Sequence, residues 1–285
     1  MYRNRNQPVH PFLVGVLGNL GLAVLKMGFG LFGGSRLVLM DGLFSFMSAA
    51  AFLLPWQAQV LEKKTTDMRY PYGLGKVLFI STTVVGLLGM VIGVHMLYYN
   101  LIVMTGLRMY GSYVGAVMVT IISIVANEAI YRYLMEESKK LSNTIIATSA
   151  RYNRIDVWIS CFILFLLFLI GLGAGYLERA GVAVISIIVL LVGLRMVFIG
   201  FAGIMDKVPP RKVLDRIRSC ARKVKDVKDI VNIKARYVGT LLHIDMSIAI
   251  DEDLSMEHAD QIARNVKTQL MGEMPFINEV NVIIA

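Results

Sequence analysis

The 285-residue sequence has little charge. Only 17% of its residues are Asp, Glu, Lys or Arg, where a soluble domain carries roughly a quarter. That shortage argues against an ordinary cytosolic enzyme. Two cysteines, Cys161 and Cys220, are too few for a disulfide framework. Cys161 lies in an apolar run and reads as a small core residue. GxxxxGK[ST], HExxH and GxSxG are missing, and the one GxGxxG string, Gly28 to Gly33, lies inside an apolar run rather than between a strand and a helix, so no enzymatic activity and no permanent cofactor are expected. The 17 methionines are scattered rather than clustered as in a copper site, and read as core and lipid packing. What is present is apolar: 56% hydrophobic residues and a mean hydropathy of +0.63. Disordered chains lack such content.

The apolar residues fall into six long runs: 12–34, 37–60, 77–105, 113–131, 145–176 and 182–205. A bilayer core needs about 20 apolar residues in a helix, so each run reads as a membrane span. The first is too long for the core of a cleaved leader, and a second span follows it at once. Lys and Arg gather on one side. Arg3 and Arg5 precede span one. Lys63, Lys64, Arg69 and Lys76 separate spans two and three, and Arg132, Lys139 and Lys140 separate four and five. The opposite loops hold Arg36, Arg108 and Arg179. The positive-inside rule therefore predicts cytoplasmic termini. The net charge of +9 reads as membrane orientation, and no nucleic-acid partner is expected.

Residues 1–206 thus form a transmembrane domain and 207–285 a cytosolic one. The tail opens on a basic neck, Lys207 to Lys228, and becomes acidic from Asp229 onward. A solvated helix face explains the neck; attraction to anionic lipid, about 1 kcal/mol per basic residue near the surface, is the alternative. After Pro209-Pro210, helical spacing of Val213, Leu214, Ile217, Cys220 and Val224 predicts an amphipathic helix. Alternation over 230–237 and 241–250 predicts two strands around Gly239. Ile230, Asn232 and Lys234 take one face of the first, and Val231, Ile233 and Ala235 the other. Helical spacing over 255–270 and a strand over 277–284 complete the order αββαβ, an α+β ferredoxin-like layer. Such a short domain has a modest core that a dimer partner would help stabilise.

Ionisable and polar groups inside spans are costly and default to functional candidates. Asp41 and Ser45 in span two are four residues apart and share a helix face, as do Tyr152 and Asp156 in span five. On facing helices these pairs would converge four oxygens on one point, a plausible site for a divalent cation. The alternative leaves Asp41 as a cap on span two and pairs Asp156 with Arg154 or Lys26. Gly86, Gly89 and Gly93 have helix-packing spacing. Glu128 and Arg132 read as a structural pair, and His95 as a hydrogen-bonded one.

Three stretches carry a resemblance. Gly33-Gly34-Ser35 leading to Asp41 is similar to a GS…AD opening of a second span. Tyr70-Pro71-Tyr72-Gly73-Leu74-Gly75-Lys76 is similar to HPYGHGK, and Tyr152-Asn153-Arg154-Ile155-Asp156 to HNRSD. With six spans and an αββαβ tail, the chain resembles the cation diffusion facilitator family, most closely its magnetosome members, along nearly its whole length. The resemblance implies a divalent cation transporter, proton-coupled and exporting from the cytoplasm, with a transmembrane metal site at Asp41, Ser45, Tyr152 and Asp156. It implies assembly as a homodimer, or as a heterodimer with a paralogue, in a bacterial inner membrane or magnetosome membrane. The alternative role is a transport-poor scaffold or heterodimer subunit for magnetosome membrane assembly.

The departures from the family pattern bear on the ion. Ser45 stands where zinc exporters have a second aspartate, and Tyr152 where the family has histidine. Losing the imidazole disfavours Zn²⁺, and an all-oxygen set suits Mn²⁺ and tolerates Fe²⁺. The family's loop histidines become Tyr70 and Leu74, leaving Asp67, so that peripheral site is expected to be absent. In the tail, His243 and Asp245 share one strand face. The resemblance places Asp245 and Asp260 at ligand positions of a regulatory cytosolic metal site, with His243 in place of an aromatic residue and Asn281 in place of a histidine. The cation expected at either site is Fe²⁺, Mn²⁺ or Zn²⁺.

Overall fold

A computed structural model describes residues 10–64, 70, 73–103, 112–141, 144–239, 241–251, 253–274 and 276–284. Six helices in it are long and apolar enough to cross a membrane: α1 (His10–Phe32), α2 (Arg36–Lys64), α3 (Val77–Tyr98, prolonged by a π-helical turn, Tyr99–Val103), α4 (Tyr113–Leu141), α5 (Thr144–Gly171) and α6 (Leu177–Ile204). They match the six apolar runs. The tail adds α7 (Arg211–Ala221), β1 (Asp229–Val238), β2 (Leu241–Ala249), α8 (Met256–Glu273) and β3 (Ile277–Ile284), in the expected order. Asp67 lies outside the described residues.

The chain forms two compact units. One comprises Met1–Val60 with Ser81–Gly200; the other comprises Leu61–Ile80 with Phe201–Ala285. The second unit thus takes in more than the tail from residue 207. Asp206 explains part of this, since its carboxylate binds Lys76 Nζ at 3.1 Å and Arg236 at 3.1 Å.

In the membrane unit the outward faces are apolar. Leu17, Val91, Val125 and Phe198 are all more than 60% exposed, as lipid contact requires. The inward faces are partly polar. α1 buries Asn19 and Lys26, α2 buries Asp41, Ser45 and Ser48, α4 buries Thr120, Ser123 and Asn127, and α5 buries Ser149, Asn153, Asp156 and Ser160. α3 and α6 pack through glycine. A Cβ on Gly193 would meet the Gly86 carbonyl at 2.7 Å, and one on Gly93 the Leu190 backbone at 2.9 Å. Close backbone approach by small residues is how helices associate where lipid supplies no hydrophobic drive. The glycines with helix-packing spacing thus line a close contact with α6, Gly86 and Gly89 against Gly193. Cys161 departs from expectation: it is exposed on α5, because its position falls on the outward face of that helix.

In the tail the sheet order is β1-β2-β3, antiparallel then parallel. Leu242, Ile244, Met246 and Ile248 of β2 face a core with Ile217 and Cys220 of α7 and Ile262, Val266 and Leu270 of α8. The simple alternation predicted for β1 fails at one place. The register shifts between Ile230 and Asn232, so Ile230 is buried with Ala235 while Val231 is 62% exposed. One extra residue in a bulge turns the preceding side chain to the other face. Gly239, at φ 66°, supplies the left-handed turn after β1.

Candidate metal centre

The buried polar stripes of α1, α2 and α5 meet at Lys26. Its Nζ lies 3.0 Å from Asp41 Oδ2 and 3.1 Å from Asp156 Oδ1, and all three side chains are at most 1% exposed. It also reaches Ser45 Oγ at 2.9 Å and Ser160 Oγ at 3.4 Å. The two hydroxyls cross-link the helices. Ser45 of α2 donates to Asp156 at 2.9 Å, and Ser160 of α5 donates to Asp41 at 2.8 Å. Each helix thus contributes the same unit, an aspartate followed four residues later by a serine.

This arrangement holds a buried ammonium. Four oxygens surround one ammonium, which has only three protons to donate. The formal charges leave one carboxylate in excess, and Asp41 Oδ1 has no partner among the described residues. A buried ion pair persists only with excellent geometry and further hydrogen bonds; the serines supply them. The donor set is oxygen throughout, which suits a hard divalent ion.

Of the four residues expected to converge, Asp41, Ser45 and Asp156 do. Tyr152 does not join them. It is half-buried against the apolar cluster of the membrane unit, and among the described residues its phenol has no hydrogen-bond partner. Its place in the oxygen set is taken by Ser160, one turn beyond Asp156 rather than one turn before. Repetition of the D-x-x-x-S spacing in α5 was the signal that could have found it. The pairing of Asp156 with Lys26, the alternative drawn from spacing, is present; Arg154 instead binds Glu128 and stacks 4.7 Å over the Tyr131 ring. Glu128 also bonds Arg132 at 2.8 Å, the structural pair expected. His95 stacks on Tyr99.

The tail residues are more dispersed. His243 and Asp245 do share the sheet face opposite the helices. There His243 Nδ1 meets Glu279 at 3.1 Å, and Asp245 accepts from Asn281 at 2.9 Å. Asp260 belongs to α8, which packs on the other face of the sheet, and it pairs with Arg264 at 2.9 Å. The three do not converge within one chain. Among the described residues, no group of three or more His, Cys, Asp or Glu side chains could hold a metal.

Comparison with known proteins decides the family. Residues 12–205 match the cation efflux transmembrane domain, and residues 209–284 match the cytoplasmic domain of cation efflux proteins, ZT_dimer. The chain belongs to the cation diffusion facilitator, or cation efflux, family. Its relatives include the manganese efflux system protein MneP of Bacillus subtilis, 26% identical over 275 residues, 94% of this chain and 92% of that one. Magnetosome protein MamM of Paramagnetospirillum magneticum is 28% identical over 276 residues, 94% and 85% of the two chains. Magnetosome protein MamB of Magnetospira sp. is 25% identical over 264 residues, 93% and 90%. As a cation diffusion facilitator, the chain is a membrane-embedded transporter of divalent metal cations with a cytoplasmic dimerisation domain.

Proposed function

We propose that this cation diffusion facilitator exports a hard divalent cation, Mn²⁺ or Fe²⁺, from the cytoplasm in exchange for protons, with both termini cytoplasmic. The observation that carries the reading is the ammonium of Lys26 held by Asp41, Asp156, Ser45 and Ser160. A pocket that stabilises a buried positive charge with oxygen alone has the chemistry a hard divalent ion needs, and no soft ligand for zinc or copper. The cation would displace Lys26 from the carboxylates. Its release would leave Asp41 and Asp156 free to take protons or to recover the ammonium. The likeness to MneP supports manganese, and the likenesses to MamM and MamB support iron in a magnetosome or inner membrane. The chain acts as a carrier, not an enzyme, as a homodimer or with a paralogue.

Metal flux into proteoliposomes tests this. Asp41→Ala and Asp156→Ala are each expected to abolish Mn²⁺ and Fe²⁺ uptake; unchanged flux of both ions in both variants would sink the proposal.

One feature favours the second reading, a transport-poor scaffold or heterodimer subunit. Lys26 fills the pocket, so a subunit that never releases it would not carry metal. Membrane assembly that survives Asp41→Ala, with no flux in the unmodified protein, would support that reading.

A further inference from the structure

The cavities, surface patches and buried groups leave one cluster that the Lys26 pocket does not use. Among the neutral polar side chains of the membrane unit that are at most 1% exposed, four stand apart: Asn19, Ser48, Asn127 and Asn153. Each has at least one polar atom without a hydrogen-bond partner among the described residues. These are Asn19 Oδ1, Ser48 Oγ, and both amide atoms of Asn127 and of Asn153. Asn19 Nδ2 is the exception, donating to Gly15 O at 2.7 Å. Unpartnered amides inside a membrane bundle are costly, so such a concentration calls for something that satisfies it.

The four fall within one stretch of the bundle, opposite residues 17–23 of α1. Gly15 of α1 abuts Phe52 of α2, and Gly30 abuts Leu39, so Ser48 is level with Asn19 to Gly21. Gly18 abuts Ile130 of α4, and Phe29 abuts Gly115, so Asn127 falls opposite the same stretch of α1. Lys26 meets Asp156 of α5, which places Asn153 level with Leu22 and Ala23. Three of the four also share a helix face with pocket residues. Asn19 is seven residues from Lys26, Ser48 three from Ser45, and Asn153 three from Asp156. Asn127 lies on the buried stripe of α4 with Thr120 and Ser123. All four residues lie on the His10 side of the carboxylates, and Asn19 is about 10 Å along α1 from Lys26 by helical rise.

We propose that Asn19, Ser48, Asn127 and Asn153 form a second, uncharged binding site for a divalent cation between the His10 end of the bundle and the Asp41/Asp156 pocket. Amide and hydroxyl oxygens are hard ligands, and the four oxygens would share the ion with retained water. Lacking a carboxylate, the site binds more weakly than the pocket, so it holds the ion in transit and passes it on. Its role in transport rests on the carrier reading above, and the inward side follows from the proposed cytoplasmic termini; the binding itself requires neither.

The test counts Mn²⁺ bound to the full chain in detergent, read from the loss of the free-ion electron paramagnetic resonance signal. Asn127→Leu with Asn153→Leu is expected to bind one Mn²⁺ fewer per chain than the unmodified protein, while Asp41→Ala with Asp156→Ala keeps that weaker ion. Leucine in place of two buried amides can disturb folding, so a gain is tested as well. Asn153→Asp adds a charged ligand, and is expected to tighten the weaker ion by about tenfold or more, as ligand charge does in oxygen sites. An undiminished Mn²⁺ count in a folded leucine variant, or an unchanged affinity in Asn153→Asp, overturns the proposal and leaves water as the occupant. Failure of the carrier reading shows separately, as absent Mn²⁺ flux in the unmodified protein.

Discussion

Ser160 Oγ donates to Asp41 Oδ2 at 2.8 Å, tying α5 to α2 at the carboxylate that also holds Lys26. Ser45 returns the bond to Asp156 at 2.9 Å. The reciprocity makes the hydroxyls part of the cluster around Lys26 and leaves the phenol of Tyr152 outside it. Ser160→Ala is expected to weaken Mn²⁺ binding by about tenfold, since a hydrogen bond to a charged group contributes about 1.5–3 kcal/mol. Tyr152→Phe is expected to leave affinity within about twofold, because no hydrogen bond is lost. Calorimetric titration of the two variants checks the pair; the reverse order would return Tyr152 to the site.

On the proposed reading, Lys26 and the transported ion compete for the same oxygens. Lys26→Met removes the competitor but leaves two buried carboxylates facing each other. Breaking one side of a buried ion pair typically costs about 3–5 kcal/mol, so the metal-free variant is expected to melt at a lower temperature than the unmodified protein. Mn²⁺ should then bind at least about tenfold more tightly, and saturating metal should restore the lost stability by mass action. Melting curves with chelator and with Mn²⁺ read both effects. Unchanged Mn²⁺ affinity would show that the ion does not displace Lys26.

Much of the fold was legible because its signals are long and periodic. Six apolar runs gave six helices, and period-two and period-3.6 patterns gave the αββαβ tail. Asp41, Ser45 and Asp156 were legible as a cluster because carboxylates and hydroxyls are conspicuous inside spans. Ser160 was not, since a serine in an apolar helix reads equally well as a small packing residue. The failure with Tyr152 has a related cause: spacing of four holds in either direction from Asp156, and only the position of α2 selects the serine. Asp260 was misplaced with His243 and Asp245 because sequence order does not say which sheet face a helix covers. The bulge at Val231 was illegible because one inserted residue leaves the composition of the strand unchanged.

The contact between α3 and α6 is backbone against backbone. A methyl group on Gly193 would stand 2.7 Å from the Gly86 carbonyl and 2.8 Å from Met90 N, atoms that cannot rotate away. Gly193→Ala is expected to destabilise the detergent-solubilised protein by about 1–3 kcal/mol through overpacking. Gly175→Ala, where no atom lies within 4 Å of the added carbon, is the control and should melt with the unmodified protein. Equal melting of the two variants would show that the helices can separate without penalty.

Glu273 at the end of α8 meets Lys223 in the turn after α7, whose ammonium donates to it at 3.0 Å. That bond, followed by those from Cys220 and Gln269, holds the carboxyl below its ordinary value of 4.5. A carboxylate with a lowered folded-state pKa stabilises the fold above its unfolded value, and that contribution disappears as pH falls through the folded one. Carboxyl NMR of residues 207–285 should therefore show Glu273 titrating below 4.5, and Lys223→Ala should move its midpoint back up. A midpoint unaffected by Lys223→Ala would mean that the contact does not persist in solution.

The tail predicts which of its three candidate ligands can respond to metal together. His243 and Asp245 occupy adjacent outward positions of β2, beside Glu279 and Asn281 of β3, and form an open face with mixed charge. Asp260 is across the sheet, already paired with Arg264. A cation on the open face would draw on Asp245, His243 and a second copy of the same face, since one chain offers too few ligands in one place. Titration of residues 207–285 with Mn²⁺ should therefore lose heat in Asp245→Ala and keep it in Asp260→Ala. Binding should also become tighter as protein concentration drives dimer formation. Equal losses in the two variants would require the sheet to open so that α8 reaches its outer face, an arrangement that the buried Ile262, Val266 and Leu270 hold against.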